Sequence, residues 1–470
     1  MNRLRGTVVA SALSVAVCGW QGSASAAGFA TQTFGGEHGS VVETNPTALY
    51  YNPGALGFSG GSALGVYSAL ALHSVTWTHQ HAPDEVAGPM GSDLTDTGKA
   101  SLLNVFGGAS LGATTHLTKN LTAGIGFFAP FFGISHWDKN SKFAGSTTFP
   151  QAYDGVQRWF GIDGKIEVIY FSAGAAYRLG PISIGATGNV ISSTVANFQA
   201  RNIGGFGVPD MIREGRSYFD VQGFNASFAA GLMVEALPDQ VDIGVSYQSQ
   251  PGFGDQKLDG DLFITPPGMK SQHQLVTLHQ QLPDIIRAGV RVHPKSVPWE
   301  FRLYGDYTRW SVFTRQCLGE QNGPCEVDNK NFGAPLPGTT GGIVLGNNRR
   351  NWNDTFGIHL GASHWFSPGI EAFAGAGYET AAVPDSTLAP DVPDANNFTL
   401  AVGGRVALTD TLFFAASYTN IQYLDRDNNS SSLLSADPFD LYKYPTVEGS
   451  GNGHYTQWAG VLSGNLEAIF

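Results

Sequence analysis

The stretch Trp458-Ala459-Gly460-Val461-Leu462-Ser463-Gly464-Asn465-Leu466-Glu467-Ala468-Ile469-Phe470 alternates with a period of two. Every second residue back from Phe470 is Ala468, Leu466, Gly464, Leu462, Gly460 and Trp458, and the interleaved set holds Glu467, Asn465, Ser463 and Gln457. Successive side chains of a strand point to opposite faces, so one face is apolar and the other mostly polar. The run is long enough for a tilted strand to cross a bilayer, which takes about 9–11 residues. It ends on an aromatic residue. The same period returns where Trp299, Phe301, Leu303, Gly305 and Tyr307 alternate with Glu300, Arg302, Tyr304, Asp306 and Thr308. A large secreted β-sandwich would alternate too, but this repeat on long strands points to a transmembrane antiparallel β-barrel.

Composition agrees. Length alone would suggest roughly two or three soluble domains, yet 61 of the 470 residues are glycine and only 14% are charged. No segment after the N-terminal region supplies the unbroken apolar run of a membrane helix, about 20 residues. The formal net charge of −12 argues against nucleic acid as a partner.

Arg3 and Arg5, the apolar run from Val8 to Val17 and the small residues Ala24-Ser25-Ala26 read as a secretory signal peptide over 1–26. Cys18 raises lipoprotein attachment as a rival, but Val17 before it is not the small residue that processing wants. Cleavage leaves Cys317 and Cys325, a closely spaced pair in an exported chain, read as one disulfide closing a small surface loop. Two thiols lack the further ligands zinc needs, and no metal or cofactor is expected.

Short breaks occur at Thr118-Lys119-Asn120, Leu179-Gly180-Pro181, Leu237-Pro238-Asp239, His293 to Pro298, Ser367-Pro368-Gly369 and Leu408-Thr409-Asp410. Longer polar loops are expected near 79–99, 138–164, 200–216, 251–271, 317–351, 381–396 and 425–453. The hairpins so joined, with one strand after the N-terminal segment and one ending at Phe470, make about fourteen strands. An even count puts both termini on the periplasmic side, and a bilayer forbids an open edge, so the sheet closes over 60–470.

Residues 27–59 do not follow the strand pattern. They begin Ala27-Gly28-Phe29 and contain Ala48-Leu49-Tyr50-Tyr51-Asn52-Pro53-Gly54-Ala55-Leu56, with prolines at 46 and 53 that exclude a long helix or central strand. A segment this apolar, tethered at the periplasmic end of strand one, is expected to fold into the lumen. A periplasmic arm is the alternative.

The Ala-Gly-Phe start, the stretch around Asn52-Pro53, Leu278 to Val292 around Leu282-Pro283, Tyr304 to Phe313 around Trp310-Ser311 and the C-terminal strand together resemble the FadL/TodX family. These are outer-membrane transporters of long-chain fatty acids and aromatic hydrocarbons. The resemblance implies a fourteen-stranded barrel with an N-terminal hatch, whose motif here includes Asn52, Pro53 and Gly54. The family usually has Asn-Pro-Ala at that point, and glycine at 54 is expected to loosen the turn.

A hydrophobic solute gains about 25 cal/mol per Å² of apolar area buried, so it prefers apolar pockets and an exit into lipid. Phe127-Phe128-Ala129-Pro130-Phe131-Phe132-Gly133 on strand three suits that exit, because proline cannot donate to the ladder and leaves a gap or bulge. The resemblance implies an inward kink and lateral window there. A tolerated bulge is the alternative. Capture outside is assigned to Phe206, Val208 and Met211, with Ile203 and Ile212, on one loop, and to Leu262, Phe263 and Ile264, with Met269, on another. These residues would equally serve as loop core. A fatty-acid carboxylate in an apolar lumen calls for a basic partner, for which Arg287, Arg302 and Arg315, with Arg291, are candidates. They would equally pair with acids such as Asp306 and Glu300.

Gly108-Ala109-Ser110-Leu111-Gly112 matches a serine-hydrolase pattern but sits within an expected strand, and no enzyme is read from it. Asp425 to Asn429 starts like a calcium loop but lacks its glycine and closing glutamate. His273 and His279 are read as rim lining. The reading is passive uptake of hydrophobic compounds by a monomer set in outer-membrane lipid and lipopolysaccharide. A general diffusion porin and a surface receptor or adhesin are the alternatives.

Overall fold

The computed structural model describes residues 40–80, 92–202, 214–323, 325, 344–429 and 450–470. Its strand segments form one sheet that closes on itself as a fourteen-stranded antiparallel barrel. In chain order the strands are β1 (Ala63–His79), β2 (Gly98–His116), β3 (Leu121–His136), β4 (Asp163–Leu179), β5 (Ile182–Asn202) and β6 (Glu214–Leu237). Four interrupted strands follow: β7 (Val241–Gln248 and Gln256–Thr265), β8 (Gln272–Gln280 and Ile285–Val292), β9 (Trp299–Thr308 and Arg315–Glu320) and β10 (Val344–Arg349 and Thr355–Ser367). The last are β11 (Ile370–Glu379), β12 (Asn397–Ala407), β13 (Leu412–Tyr423 and Arg426–Asn428) and β14 (Gly453–Ile469). Closure is made by β1, which pairs with β2 on one side and with β14, from Ala63↔Ile469 to His79↔Gly453, on the other.

Alternation sorts the side chains as expected. On β9, Trp299, Phe301 and Leu303 are exposed, and Glu300, Arg302 and Tyr304 are buried. Exposed Leu64, Val66 and Leu70 on β1 and Leu462 and Leu466 on β14 extend the outer apolar band. Such a surface is stable only against hydrocarbon, and pairing β1 with β14 removes the two outer edges that an open sheet would expose to the bilayer. The six short turns all fall where the sequence breaks them, and they gather at one end of the barrel.

Two expected loops are instead partly strand. Gln256–Thr265 extends β7 beyond a break at 249–255 and pairs with β6 and β8. In that segment Leu262 is fully buried, while Phe263 is exposed on the opposite face. Leu262, Phe263 and Ile264 therefore lie in a ladder, and the connecting turn is only 266–271. Lys257, Asp259 and Asp261 had diluted the alternation. In the 317–351 stretch, Arg315–Glu320 and Val344–Arg349 likewise pair with each other. Cys317 is buried and joined to Cys325 by a disulfide. Ala27, Phe29, Ile203, Phe206, Val208, Met211 and Ile212 fall outside the described residues.

Candidate functional site in the lumen and barrel wall

Residues 40–58 lie inside the barrel at its short-turn end. Val41, Val42, Ala48, Leu49, Ala55 and Leu56 are fully buried. They share one apolar cluster with Tyr67, Phe128, Tyr170 and Met233 of the wall. Tyr50 packs edge-on against Tyr170, with ring centroids 5.7 Å apart, and the carbonyl of Tyr51 accepts from Ser246 at 2.6 Å. Contacts of this one segment reach wall strands from β2, at Gly112, round to β9, at Arg302. Only a lumenal segment can touch so many staves.

Asn52 is the pin. Its amide donates to the carbonyls of Val41 (2.8 Å) and Leu232 (3.1 Å), and its side-chain oxygen accepts from the Gly54 N–H at 3.0 Å, capping the short helix Pro53–Phe58. Gly54 is needed for close approach. A Cβ there would meet the Gly231 backbone at 2.7 Å, so the missing methyl seats the segment against β6 and does not loosen a turn.

The wall is incomplete beside it. β2 and β3 pair only from His116↔Thr122 to Leu111↔Phe127. Above that, β3 continues on β4 through a bulge between Phe128 and Phe131, where Ala129-Pro130 adds one residue. The two strands meet again beyond the gap, where the Asp138 N–H donates to the Ser101 carbonyl at 2.9 Å. The Ala129 N–H reaches across it to Ser110 Oγ at 3.3 Å. The bulge reverses the alternation of β3, which turns Phe132 toward the outer set. Phe132 nevertheless meets Phe106 of the inner face of β2, with ring centres 6.4 Å apart. Phe106 and Phe132 flank the gap, and with Ala69, Ala71, Val461 and Ile421 of the adjoining wall they make one apolar cluster beside it.

Gly133 and Ile134, on the same strand, also line a cavity of about 160 Å³ toward the long-loop end. Its walls are Ile166, Val195, Phe219, Leu278, Leu318, Leu345 and Val392, with Lys165, Arg201 and Arg350 among them. Arg350 binds Asp391 at 3.0 Å, and Arg201 donates to the Leu345 carbonyl at 2.8 Å. A second apolar cluster caps the lumen at this end, built around Trp77, Trp137, Trp159, Phe160, Trp310 and Trp352.

The four arginines proposed from the sequence do not line that cavity. Arg287 lies over Tyr50 and Tyr51, at 5.1 and 5.6 Å from the ring centres, and donates to Gln248. Arg302 pairs with Glu300 and with Glu43 of the inner segment. Arg315 is exposed. The first two are inward, as alternation requires, but the inner segment occupies them. The basic residues of the cavity sit toward the long-loop ends of β4, β5 and β10, which pattern alone did not bring together.

Below the inner segment lies a vestibule of about 330 Å³ lined by Glu43, Arg291, Glu300, Arg302, Glu371, Arg405 and Glu467. At the long-loop end, loops are stitched by buried charge. Arg158 is fully buried and binds Asp96 (2.8 Å) and Glu214 (3.0 Å), while Arg216 binds Asp154 at 2.6 Å. Burial raises the Asp96 carboxyl above its ordinary range. At Asp154 burial acts in the same direction, but hydrogen bonds from Lys139 and Arg216 outweigh it and hold the carboxyl below that range.

A closed, lipid-faced barrel with a filled lumen and a gap in its wall is an outer-membrane transport protein. Residues 7–444 match the family described as outer membrane protein transport protein (OMPP1/FadL/TodX), and the chain belongs to that family. Among solved structures, a Pseudomonas aeruginosa FadL homologue aligns with a TM-score of 0.71 at 15% identity, covering 96% of this chain and 100% of that one. The Ralstonia pickettii toluene transporter TbuX aligns with a TM-score of 0.59 at 15% identity, covering 91% and 94%. The P. putida toluene transporter TodX gives 0.61 at 14% identity, covering 91% and 95%. No curated protein sequence matches the chain. The short turns therefore face the periplasm and the long loops the exterior.

Proposed function

We propose that the chain takes up hydrophobic compounds passively, holding them against the apolar side chains of the cavity and releasing them sideways into the membrane between β2 and β3. The observation that carries this is the contrast between the two ways out. The axial route leads past a tightly seated plug into a vestibule of four carboxylates and three guanidinium groups. The lateral route leads from Gly133 to a rim of alanine, valine, isoleucine and phenylalanine. An apolar solute loses roughly 25 cal/mol per Å² when its surface returns to water, so the second path is favoured. Phe128, Pro130, Phe131, Phe132 and Gly133 are the residues of that path. Residues 27–59 act as the hatch, with Asn52, Pro53 and Gly54 at its seat.

Two structural relatives are toluene transporters and one is a FadL homologue, which supports aromatic hydrocarbons and long-chain fatty acids as the classes to test. Loop capture by Phe206, Val208, Met211 and neighbours belongs to the same reading. So does operation as a monomer without cofactor or energy source.

An alkylbenzene carrying a diazirine tests the route in membranes containing the protein. Photolabelling is expected at Phe106 and Phe132. Label concentrated on the vestibule residues instead would contradict lateral release.

A further inference from the structure

Among the described residues, the cavity beside Gly133 holds one positive charge with no acidic partner. Lys165, Arg201 and Arg350 all line it. Lys165 is paired with Glu167 at 2.7 Å and Arg350 with Asp391 at 3.0 Å. Arg201, partly buried at the outer end of β5, donates to the Leu345 carbonyl at 2.8 Å and makes no ion pair among the described residues. A guanidinium drawn out of water against apolar walls is costly until a counter-charge meets it. One carbonyl leaves most of its five N–H groups to be met.

Polar and apolar surfaces are sorted within this cavity. Gln199, two residues before Arg201 on β5, also lines it. The Gln199 side-chain oxygen accepts from Asn197 at 2.6 Å, so its amide N–H groups are what remain to meet a ligand. Register sets Asn197 opposite Phe219 of β6, and Val195 opposite Val221. Val195 and Phe219 pack in one apolar cluster with Leu278, Leu318 and Leu345 of β8, β9 and β10. The cavity therefore offers donors at Arg201 and Gln199 and hydrocarbon beside them. Its volume of about 160 Å³ is close to the about 150 Å³ of an apolar protein cavity that takes up one benzene. One ring with a short substituent fits, and a long alkyl chain has to trail out.

We propose that the cavity takes a single-ring aromatic carboxylate, such as an alkylbenzoate, with Arg201 and the Gln199 amide on the carboxylate and Val195, Phe219 and Leu278 around the ring. This deepens the uptake reading and rests on it. A carboxylate accepts two parallel bonds from a guanidinium and supplies the counter-charge that Arg201 lacks. A neutral hydrocarbon of the same size leaves that charge unpaired.

The test measures binding of para-ethylbenzoate, its methyl ester and ethylbenzene to purified protein in lipid nanodiscs, and uptake of the same compounds by cells. The wild type is expected to bind the acid about tenfold more tightly than either neutral compound. Arg201→Gln, assembled as a heat-modifiable barrel, should weaken acid binding by about ten- to a hundredfold, as loss of charged hydrogen bonds implies, with ethylbenzene binding unchanged. Arg201→Lys, which keeps the charge without the fork, should fall between the two, and Gln199→Leu should cost the acid about threefold. Equal losses for acid and hydrocarbon would overturn the site and reduce Arg201 to a brace between β5 and β10. Hexadecanoate bound more tightly than the ring acid would overturn the single-ring class. The stated preference without uptake of any compound would uphold the site and overturn the transport reading. Uptake of ethylbenzene with no preference for the acid would overturn the site and leave lateral release standing.

Discussion

Asn52 shows how much one buried side chain can organise. With no exposure and three hydrogen bonds to backbone groups, it fixes the plug to β6 and to its own Val41. Asn52→Ala leaves buried carbonyls unpaired, at about 1–3 kcal/mol each. We predict a barrel that still assembles but conducts ions in planar bilayers, and unchanged conductance would refute the pinning role. Gly54→Ala should have the same effect through the clash with Gly231. At the outer end, Asp154 supplies a pH prediction. Its carboxyl is held below the ordinary range by Lys139 and Arg216. The stabilisation is therefore present above the unfolded value of about 3.9 and is lost as pH falls through the depressed one. Loop cleavage by an acid-active protease should rise across that window, and Asp154→Asn should make it high and flat with pH. These residue roles were only half legible in the sequence. The Asn-Pro turn stood out, but the glycine that receives it, Gly231, is an ordinary member of a glycine-rich strand until the register is known.

Among elements, β3 and the β7–β10 group teach opposite lessons. Pro130 announced the break in β3 because a missing N–H is a local property. The extent of the gap, from Leu111 to Ser101 along β2, was not local, since nothing in the sequence of β2 marks the end of its pairing. The breaks in β7 to β10 hid two outer hairpins, because strands beyond the bilayer need no apolar outer face. Their residues read as loop. The basic side chains of the cavity were missed for the same reason: Arg201 and Arg350 lie at strand ends where alternation fades. Cys317 sits within such a hairpin, whose ladder to β8 runs from Gln316↔Gln280 to Glu320↔Val276. Replacing both cysteines with serine should leave uptake intact and speed proteolysis of the 321–343 connection. Lost uptake would mean that the disulfide shapes the cavity.

For the whole molecule, the proposed reading has the seated inner segment and the charged vestibule close the axis to apolar solutes, with release directed sideways into lipid through the apolar gap. Deleting residues 27–58 should turn the barrel into a leaky pore, whereas a general porin would conduct about as before. Closing the side outlet tests the account most directly. Pro130→Ala restores a ladder donor, and Gly133→Val fills the wall where the cavity meets the strand. Uptake of an alkylbenzene and of a long-chain fatty acid should be measured in cells lacking other transporters, with equal barrel assembly verified. The account predicts that the intact protein admits at least one of them and that the double variant admits about tenfold less or worse, in line with a barrier raised by roughly 1.4 kcal/mol. Full uptake through the double variant would contradict release between β2 and β3.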